Sequence, residues 1–149
     1  NHMEESHELL VSYGNEKIWD VLAENPRNRV VVFGEQPEML RFPCSTQSYT
    51  DIEGSGGNFN LSSSPEALAE FFTFAGVDHI YLGSGYLKPG TDGFRNVTGL
   101  LKQGYLSDLL YENGNGLAVF SPEPRELSAE ESEALLAEFT EKYWPGEQQ

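Results

Sequence analysis

The feature that most constrains the fold is a pair of short apolar runs with one clearly delimited helix between them. The runs are residues 29–34 (RVVVFG) and residues 77–83 (VDHIYLG). A continuous apolar run bounded by polar residues and glycine suits a strand that is buried on both faces. Two such strands joined by a helix form a βαβ unit, whose crossover is almost always right-handed. The sequence therefore predicts an α/β fold.

The helix between these strands carries a start and a stop signal. Ser64 is a good N-cap, Pro65 suits the first helical position, and Glu66 places a negative charge in the first turn. Gly76 suits the C-cap, because glycine readily adopts a left-handed conformation. Apolar residues at helical spacing predict its core-facing side: Leu68, Phe71, Phe72 and Ala75.

The remaining elements are predicted from periodicity and turn residues. Ile18, Val21 and Leu22 predict a helix from residue 15, which Asn25-Pro26 ends. A Gly/Pro/Asp-rich loop over residues 84–95 precedes a short helix from Val97 to Gln103.

Two further segments complete the pattern. Residues 105–111 and 117–120 flank the Asn-Gly steps of residues 112–116, which predicts a β-hairpin. Ser128 and Glu131 form a capping box before a last helix, whose apolar face ends at Tyr143. The order α-β-α-β-α-β-β-α predicts a single α/β domain with Rossmann-like layering. Its mixed sheet has about four strands, the βαβ unit plus the C-terminal hairpin, with flanking helices.

The domain boundaries follow from local composition. Residues 1–3 (NHM) have the form of a cloning remnant and are left out of the fold prediction. Residues 4–14 are predicted to be a lead-in. Residues 15–149 are predicted to be one α/β domain, with an acidic C-terminal helix within residues 121–149.

Charge and hydropathy exclude several functions. The net charge of −15, from 24 acidic and 9 basic residues, repels phosphate groups, so we expect no nucleic-acid partner. No apolar run approaches the ~20 residues of a membrane-spanning helix, so the chain itself is predicted to be soluble. With one cysteine, Cys44, no disulfide can form within the chain.

A ligand cleft is predicted at the carboxyl ends of the strands, where open α/β sheets bind ligands. These ends lead into the long connection 35–63 and the loop 84–95, and a connection of such length is often functional. The candidate cleft residues are Glu35, Tyr49, Asp51, Glu53, Ser84, Tyr86 and Asp92.

Three sharper chemical interpretations of these loops are less favoured than structural ones. Asp51 and Glu53 could form a carboxylate pair, but loop acids are expected in so acidic a chain. The run Gly54–Gly57 lacks the preceding strand, the lysine and the following helix of a phosphate loop. Cys44 would need His79 as a base, and a histidine within a strand is more often packed. We predict no metal site, no cofactor and no catalytic residue.

The order of motifs resembles one known family. It comprises residues 29–33 (RVVVF), a variable loop with Asp51, residues 74–83 (FAGVDHIYLG), residues 110–114 (LYENG) and residues 117–120 (LAVF). It resembles the soluble C-terminal domain that follows the transmembrane helices in multi-spanning membrane proteins of the GT-C glycosyltransferase type. In those proteins a GVDY-like strand and a YENG-like hairpin recur in this order.

The resemblance covers residues 16–121, and the acidic helix after Ser121 departs from it. It implies an extracytoplasmic location and, as partners, the transmembrane region of a parent protein and a glycan or lipid-linked sugar. Catalysis in that family uses acidic residues in membrane-proximal loops of the transmembrane part, and no WWDYG-like motif is present. The function that it implies is that of a non-catalytic accessory domain that helps to bind or orient acceptor or glycan.

Two other functions remain open from the sequence. One is a small metal-assisted or hydrolytic enzyme that uses Asp51, Glu53 and His79. The other is a protein-interaction domain that uses the acidic residues 123–149.

Overall fold

The computed structural model describes residues 3–4, 14–34, 42–49 and 64–146 of the chain. The helices and strands are α1 (Glu16–Ala23), β1 (Arg29–Phe33), β2 (Ser45–Ser48), α2 (Pro65–Ala75), β3 (His79–Leu82), α3 (Asp92–Lys102), β4 (Leu106–Glu112), β5 (Asn115–Phe120) and α4 (Ala129–Lys142).

The strands form one mixed sheet in the order β2-β1-β3-β5-β4. β1 is parallel to both of its neighbours, β2 and β3. β5 is antiparallel to β3 and to β4. The predicted α/β fold with a mixed sheet is confirmed, with β1 and β3 adjacent and the hairpin extending the sheet beyond β3.

The sheet has five strands, so the prediction of about four strands was one short. β2 lies inside the segment 35–63, where the sequence predicts one long connection without a strand. Its sequence, STQS, contains no apolar residue, and only Ser48 is buried, with 8% of its surface exposed. A short polar strand at a sheet edge is a common protection against edge-to-edge aggregation. It gives no hydrophobic pattern from which to predict it.

Helix α3 begins at Asp92, five positions before the predicted start at Val97, so the predicted loop 84–95 is too long. Thr91 is the N-cap, and its hydroxyl accepts a hydrogen bond from the Phe94 backbone N–H at 3.3 Å. The first turns contain glycine and asparagine, which are poor helix formers, and the propensity signal is therefore weak there. The cap and the packing of α3 on the sheet outweigh that propensity.

Helices cover both faces of the sheet, which explains why β1 is apolar at successive positions. On one face, α1 packs on Val30, Val32, Tyr81 and Leu117. On the other face, α2, α3 and α4 pack on a larger core that includes Val31, Phe33, Ile80, Leu82, Ala118 and Phe120. The residues of a strand alternate between these two cores, as the pleat of a strand requires.

The predicted ends of α2 are confirmed, and two hydrogen bonds of Arg29 join the start of β1 to the end of α2 and to Asp78. The Ser64 hydroxyl accepts from the Ala67 N–H at 3.1 Å, and Gly76 has a φ of 69°. The Arg29 guanidinium donates to the Ala75 carbonyl at 3.0 Å, while the Arg29 N–H donates to the Asp78 carboxylate at 2.9 Å. These contacts satisfy backbone groups at the helix terminus and hold α2 against the sheet.

Candidate functional site

The structure describes four of the seven predicted cleft residues. Glu35, Asp51 and Glu53 lie outside the described residues, and the predicted carboxylate pair therefore stays a prediction. The four described residues are Tyr49, Ser84, Tyr86 and Asp92.

Tyr49 is a core residue. It directly follows β2, its ring stacks on Phe33 with 4.3 Å between centroids, and only 3% of its surface is exposed. The ring also lies beside the start of α3, 3.8 Å from the position that a Cβ atom on Gly93 would occupy. The structure thus brings Tyr49 close to the turn of helix that begins at Asp92, as the cleft prediction requires, but with the ring packed inside.

The other three residues lie on the connection between β3 and α3 and at its end. The Ser84 backbone N–H donates to the side-chain oxygen of Asn115 at 2.8 Å. Tyr86 is half-buried against the larger core. Asp92 is exposed and pairs with Arg95 at 2.8 Å. These contacts of Ser84, Tyr86 and Asp92 stabilise the connection at the carboxyl end of β3.

The hairpin turn next to this edge contains the residues on which the family resemblance most depends. Asn113 and Gly114 have φ values of 52° and 82°, which suit the tight two-residue turn that asparagine and glycine favour. The Glu112 carboxylate accepts hydrogen bonds from the backbone N–H groups of Lys17 at 2.9 Å and Ile18 at 3.1 Å. Glu112 therefore caps the first turn of α1 from a distant part of the chain.

The same turn also forms hydrogen bonds with the residue Gly14 before α1 and with the residue Trp144 after α4. The Asn113 amide donates to the Gly14 carbonyl at 3.2 Å. The Trp144 N–H donates to the Gly114 carbonyl at 3.1 Å, and the Trp144 carbonyl accepts from the Gly85 N–H at 2.6 Å. We call the set Gly14, Glu112, Asn113, Gly114 and Trp144 the hairpin junction. It joins the start of α1 and the end of α4 at one point.

Tyr143 reinforces this junction from inside the core. Its hydroxyl donates to the Gly83 carbonyl at 2.7 Å and accepts from the Leu87 N–H at 2.9 Å. Its ring stacks on Phe139 with 5.0 Å between centroids. The end of α4 is therefore fixed to the connection that follows β3.

Cys44 is not placed as a nucleophile. Burial, with a further contribution from the Asp78 carboxylate, raises the pKa of the Cys44 thiol to about 11. The thiolate is the nucleophilic form of cysteine, and with this pKa almost none of it exists near neutral pH. His79 is half-buried at the first position of β3, in agreement with the packed histidine that the sequence favours.

An open cleft lies at the other end of the sheet, near the end of α1 and the start of β3. Its volume is about 360 Å³. Hydrogen-bonding side chains and aliphatic side chains both line it. The polar lining consists of Glu24, Asn25, Asn28, His79 and Asp108, and the aliphatic lining of Val21, Leu110, Leu117 and Val119. We call this cavity the amino-end cleft.

His79 has an unusual environment within the amino-end cleft. The His79 Nδ1 atom is shielded from solvent and has no hydrogen-bond partner among the described residues. Burial lowers the pKa of His79, and the Asp78 and Asp108 carboxylates oppose that shift without reversing it. The lowered pKa means that the imidazole is mostly neutral near neutral pH.

Asp108 lies at an irregularity of the hairpin. The register of β4 against β5 shifts between Ser107 and Leu110, and Asp108 has a φ of 49°. Bulges bend a strand and redirect its side chains, and they are common beside functional sites. Here the bulge places an exposed carboxylate at the amino-end cleft.

The sequence does not predict this cleft. Of its residues, only His79 is a candidate from the sequence, as a base for Cys44 or together with Asp51 and Glu53 in a small enzyme. Open α/β sheets bind ligands at the carboxyl ends of their strands, and the predicted cleft therefore lies at the opposite end of the sheet. The bulge at Asp108 depends on how β4 pairs with β5, and LSDLLYE contains no glycine to mark it.

Comparisons with known proteins identify no relative: no family model, curated protein or solved structure matches this chain. Among the helices of the described residues, none is long and apolar enough to cross a membrane. The same part of the chain contains no group of three or more acidic, histidine or cysteine residues arranged to hold a metal ion.

Proposed function

We propose that this chain is a non-catalytic binding domain of a larger membrane protein of the GT-C glycosyltransferase type. In this proposal the domain lies on the extracytoplasmic side of the membrane, tethered to the transmembrane region of its parent. It binds or orients an acceptor or a glycan, including the sugar portion of a lipid-linked sugar.

The observation that carries the binding function is the lining of the amino-end cleft. The Asp108 carboxylate can accept hydrogen bonds from sugar hydroxyl groups, and the Asn25 amide can both accept and donate them. The aliphatic side chains of Val21 and Leu110 offer contact to the C–H surface of a sugar ring. Small-molecule sites commonly combine an apolar lining with a few well-placed polar groups.

The negative charge at the cleft favours binding of the uncharged sugar units over binding of a phosphate group. Glu24 and Asp108 place two carboxylates at the cleft, and the whole chain has a net charge of −15. A phosphate group would be repelled from this surface. We therefore propose that the cleft binds uncharged sugar units and that any phosphate of a lipid-linked sugar stays outside it.

The hairpin junction supports the non-catalytic part of the proposal. Glu112 is the acid of the LYENG motif, residues 110–114, and its carboxylate accepts hydrogen bonds from two backbone N–H groups at the start of α1. A carboxylate that caps a helix in this way is a structural group. The motif that carries the resemblance thus has a scaffold role, and binding is left to the cleft.

The test is a titration of the ¹⁵N-labelled chain with chitobiose and mannobiose, followed by amide chemical shifts. We expect saturable shifts at Asn25, Asn28 and Leu110 with at least one of the sugars. Asp108→Asn should weaken that binding by roughly 10-fold, because a hydrogen bond to a charged group is worth about 1.5–3 kcal/mol. Asp92→Asn is the matched control at the other end of the sheet.

Two results would contradict the proposal in different ways. Absence of saturable shifts at the cleft for both sugars would reject glycan binding there. A parent gene that encodes this domain with no hydrophobic spans of ~20 residues would reject the membrane protein as its context.

A further inference from the structure

A second concave surface lies on the opposite face of the molecule from α1. It is a groove of about 400 Å³ between α2 and the chain around Tyr105 and Pro122. The residues that line it are Glu66, Ala69, Glu70, Thr73, Phe74, Tyr105 and Pro122. Phe74 is 86% exposed, more than any other large hydrophobic residue in the described part of the chain.

The groove combines aromatic surface with negative charge. Glu66 and Glu70 lie one turn apart on α2 and are both exposed, so their carboxylates repel each other. Among the residues that the structure describes, no lysine or arginine lines the groove. Arg125, three residues after Pro122, donates to the Leu106 carbonyl at 2.8 Å and is thereby held elsewhere.

The aromatic part of the groove is partly fixed in place. The Tyr105 ring stacks on Phe120, with 6.1 Å between centroids and 8° between ring planes. The Tyr105 N–H donates to the Leu100 carbonyl at 3.0 Å, which fixes the backbone there. A ligand therefore meets one fixed ring and one exposed ring, Phe74, at the end of α2.

We propose that this groove binds an arginine-bearing segment of a partner protein. A guanidinium group is planar, stacks on aromatic rings and donates in a fork to carboxylates, and the groove offers both kinds of contact. A lysine ammonium group would gain the charge attraction but not the stacking or the fork geometry. This site is separate from the amino-end cleft and does not depend on the proposed function.

Charge distinguishes this occupant from two others. A second copy of the chain carries a net charge of −15 and is repelled. An anionic membrane surface is repelled by Glu66 and Glu70 for the same reason. A basic peptide is attracted by the field of the whole chain and then held by the groove.

The experiment is a titration of the ¹⁵N-labelled chain with the capped peptide Gly-Arg-Leu-Arg-Gly. Two matched peptides replace both arginines by lysine or by citrulline. We expect saturable shifts at Glu70, Phe74 and Tyr105 with the arginine peptide, weaker binding of the lysine peptide and no binding of the citrulline peptide. Equal affinity for the arginine and lysine peptides would overturn the assignment of a guanidinium site.

Variants separate the groove from the general negative field. The double variant Glu66→Gln/Glu70→Gln should bind roughly 3–10-fold more weakly, as expected for the loss of two exposed charge pairs. Phe74→Ser should bind roughly 3-fold more weakly, from the loss of one exposed cation–π contact. The control Glu133→Gln/Glu141→Gln makes the same charge change on exposed positions of α4.

Each remaining outcome is decisive. An equal loss of affinity in the control double variant means that binding is diffuse, and the proposal then fails. Shifts at Phe74 that depend on protein concentration without peptide would identify a second copy as the occupant and overturn the proposal. All these positions are exposed, so each variant should stay folded, and thermal unfolding checks this. A slightly lower unfolding temperature is expected only for the double variant with Glu66→Gln, which removes a favourable charge from the first turn of α2.

Discussion

The two ends of the sheet differ in how their polar groups are used. At the hairpin junction, side chains and backbone groups from α1, the β4–β5 turn and the end of α4 hydrogen-bond to one another. At the amino-end cleft, the His79 Nδ1 atom lacks a partner within the described residues, and the Asp108 carboxylate is exposed at the bulge in β4.

The difference suggests a division between stability and binding. Polar groups whose hydrogen bonds are satisfied contribute to stability, whereas unsatisfied groups and unusual backbone conformations are most often kept where function needs them. The junction should therefore be sensitive to substitution. The cleft should tolerate substitution in its stability while losing its ligand.

The largest effect is expected from Tyr143→Phe, in the core beside the hairpin junction. The substitution removes one hydroxyl and leaves the buried Leu87 N–H without its acceptor, while the Gly83 carbonyl loses one of its two donors and keeps the Tyr86 N–H at 3.1 Å. We expect the free energy of unfolding to fall by about 2 kcal/mol, since one unsatisfied buried group costs about 1–3 kcal/mol. Urea denaturation measures it, with Tyr105→Phe as the matched control. Equal losses in both variants would show that the two hydrogen bonds of the Tyr143 hydroxyl contribute no additional stability.

The next effect concerns the cap of α1. Asn15 occupies the N-cap position without a side-chain cap, and Glu112 supplies the acceptor instead. Glu112→Ala should lower the free energy of unfolding by about 1–2 kcal/mol, the usual range for a lost cap. Glu112→Gln should lose less, since its amide oxygen still accepts hydrogen bonds. If Glu112→Ala leaves the free energy of unfolding unchanged, the hairpin junction does not stabilise the fold and does not differ from the amino-end cleft in this respect.

A smaller effect is expected at the bulge of the amino-end cleft. Asp108→Gly relieves the positive φ but adds freedom to the unfolded chain, and these contributions nearly cancel. We expect the free energy of unfolding to change by less than about 0.5 kcal/mol. Glycan binding should weaken in the same variant. A large loss of stability would mean that Asp108 is structural, like Glu112.

The smallest effect at neutral pH is expected for His79, and it becomes visible on acidification. Because burial lowers the pKa of His79 below its ordinary value of 6.5, the unfolded state binds the proton first as the pH falls. The contribution of His79 to stability is therefore full above pH 6.5 and is lost progressively below it. His79→Gln should show a shallower decline of stability between pH 7 and pH 5. Parallel pH profiles for both proteins would argue against a shifted His79.

The parts of the fold that the sequence predicts are those with local signals. The caps at Ser64 and Gly76, the capping box of Ser128 and Glu131 and the Asn113-Gly114 turn all appear as expected. Each depends on residues within a few positions of one another, where turn and cap chemistry acts.

The features that the sequence does not predict depend on pairing between distant segments. β2 is a polar edge strand, and its pairing with β1 runs from Arg29 with Ser45 to Val32 with Ser48. The bulge at Asp108 exists only once β4 meets β5, and the amino-end cleft needs α1, β3 and the hairpin together. Such contacts between distant segments cannot be predicted from a local pattern of residues.

The hairpin junction also determines how the domain would respond to a pulling force. Gly14 and Trp144 are bonded to neighbouring residues of the same turn, Asn113 and Gly114. A stretching force applied between residues 14 and 144 would load this one corner first, while the hydrogen bonds between the strands carried little tension. We therefore expect single-molecule pulling across these two points to show an initial rupture that releases α1 and the end of α4, followed by a separate unfolding of the sheet.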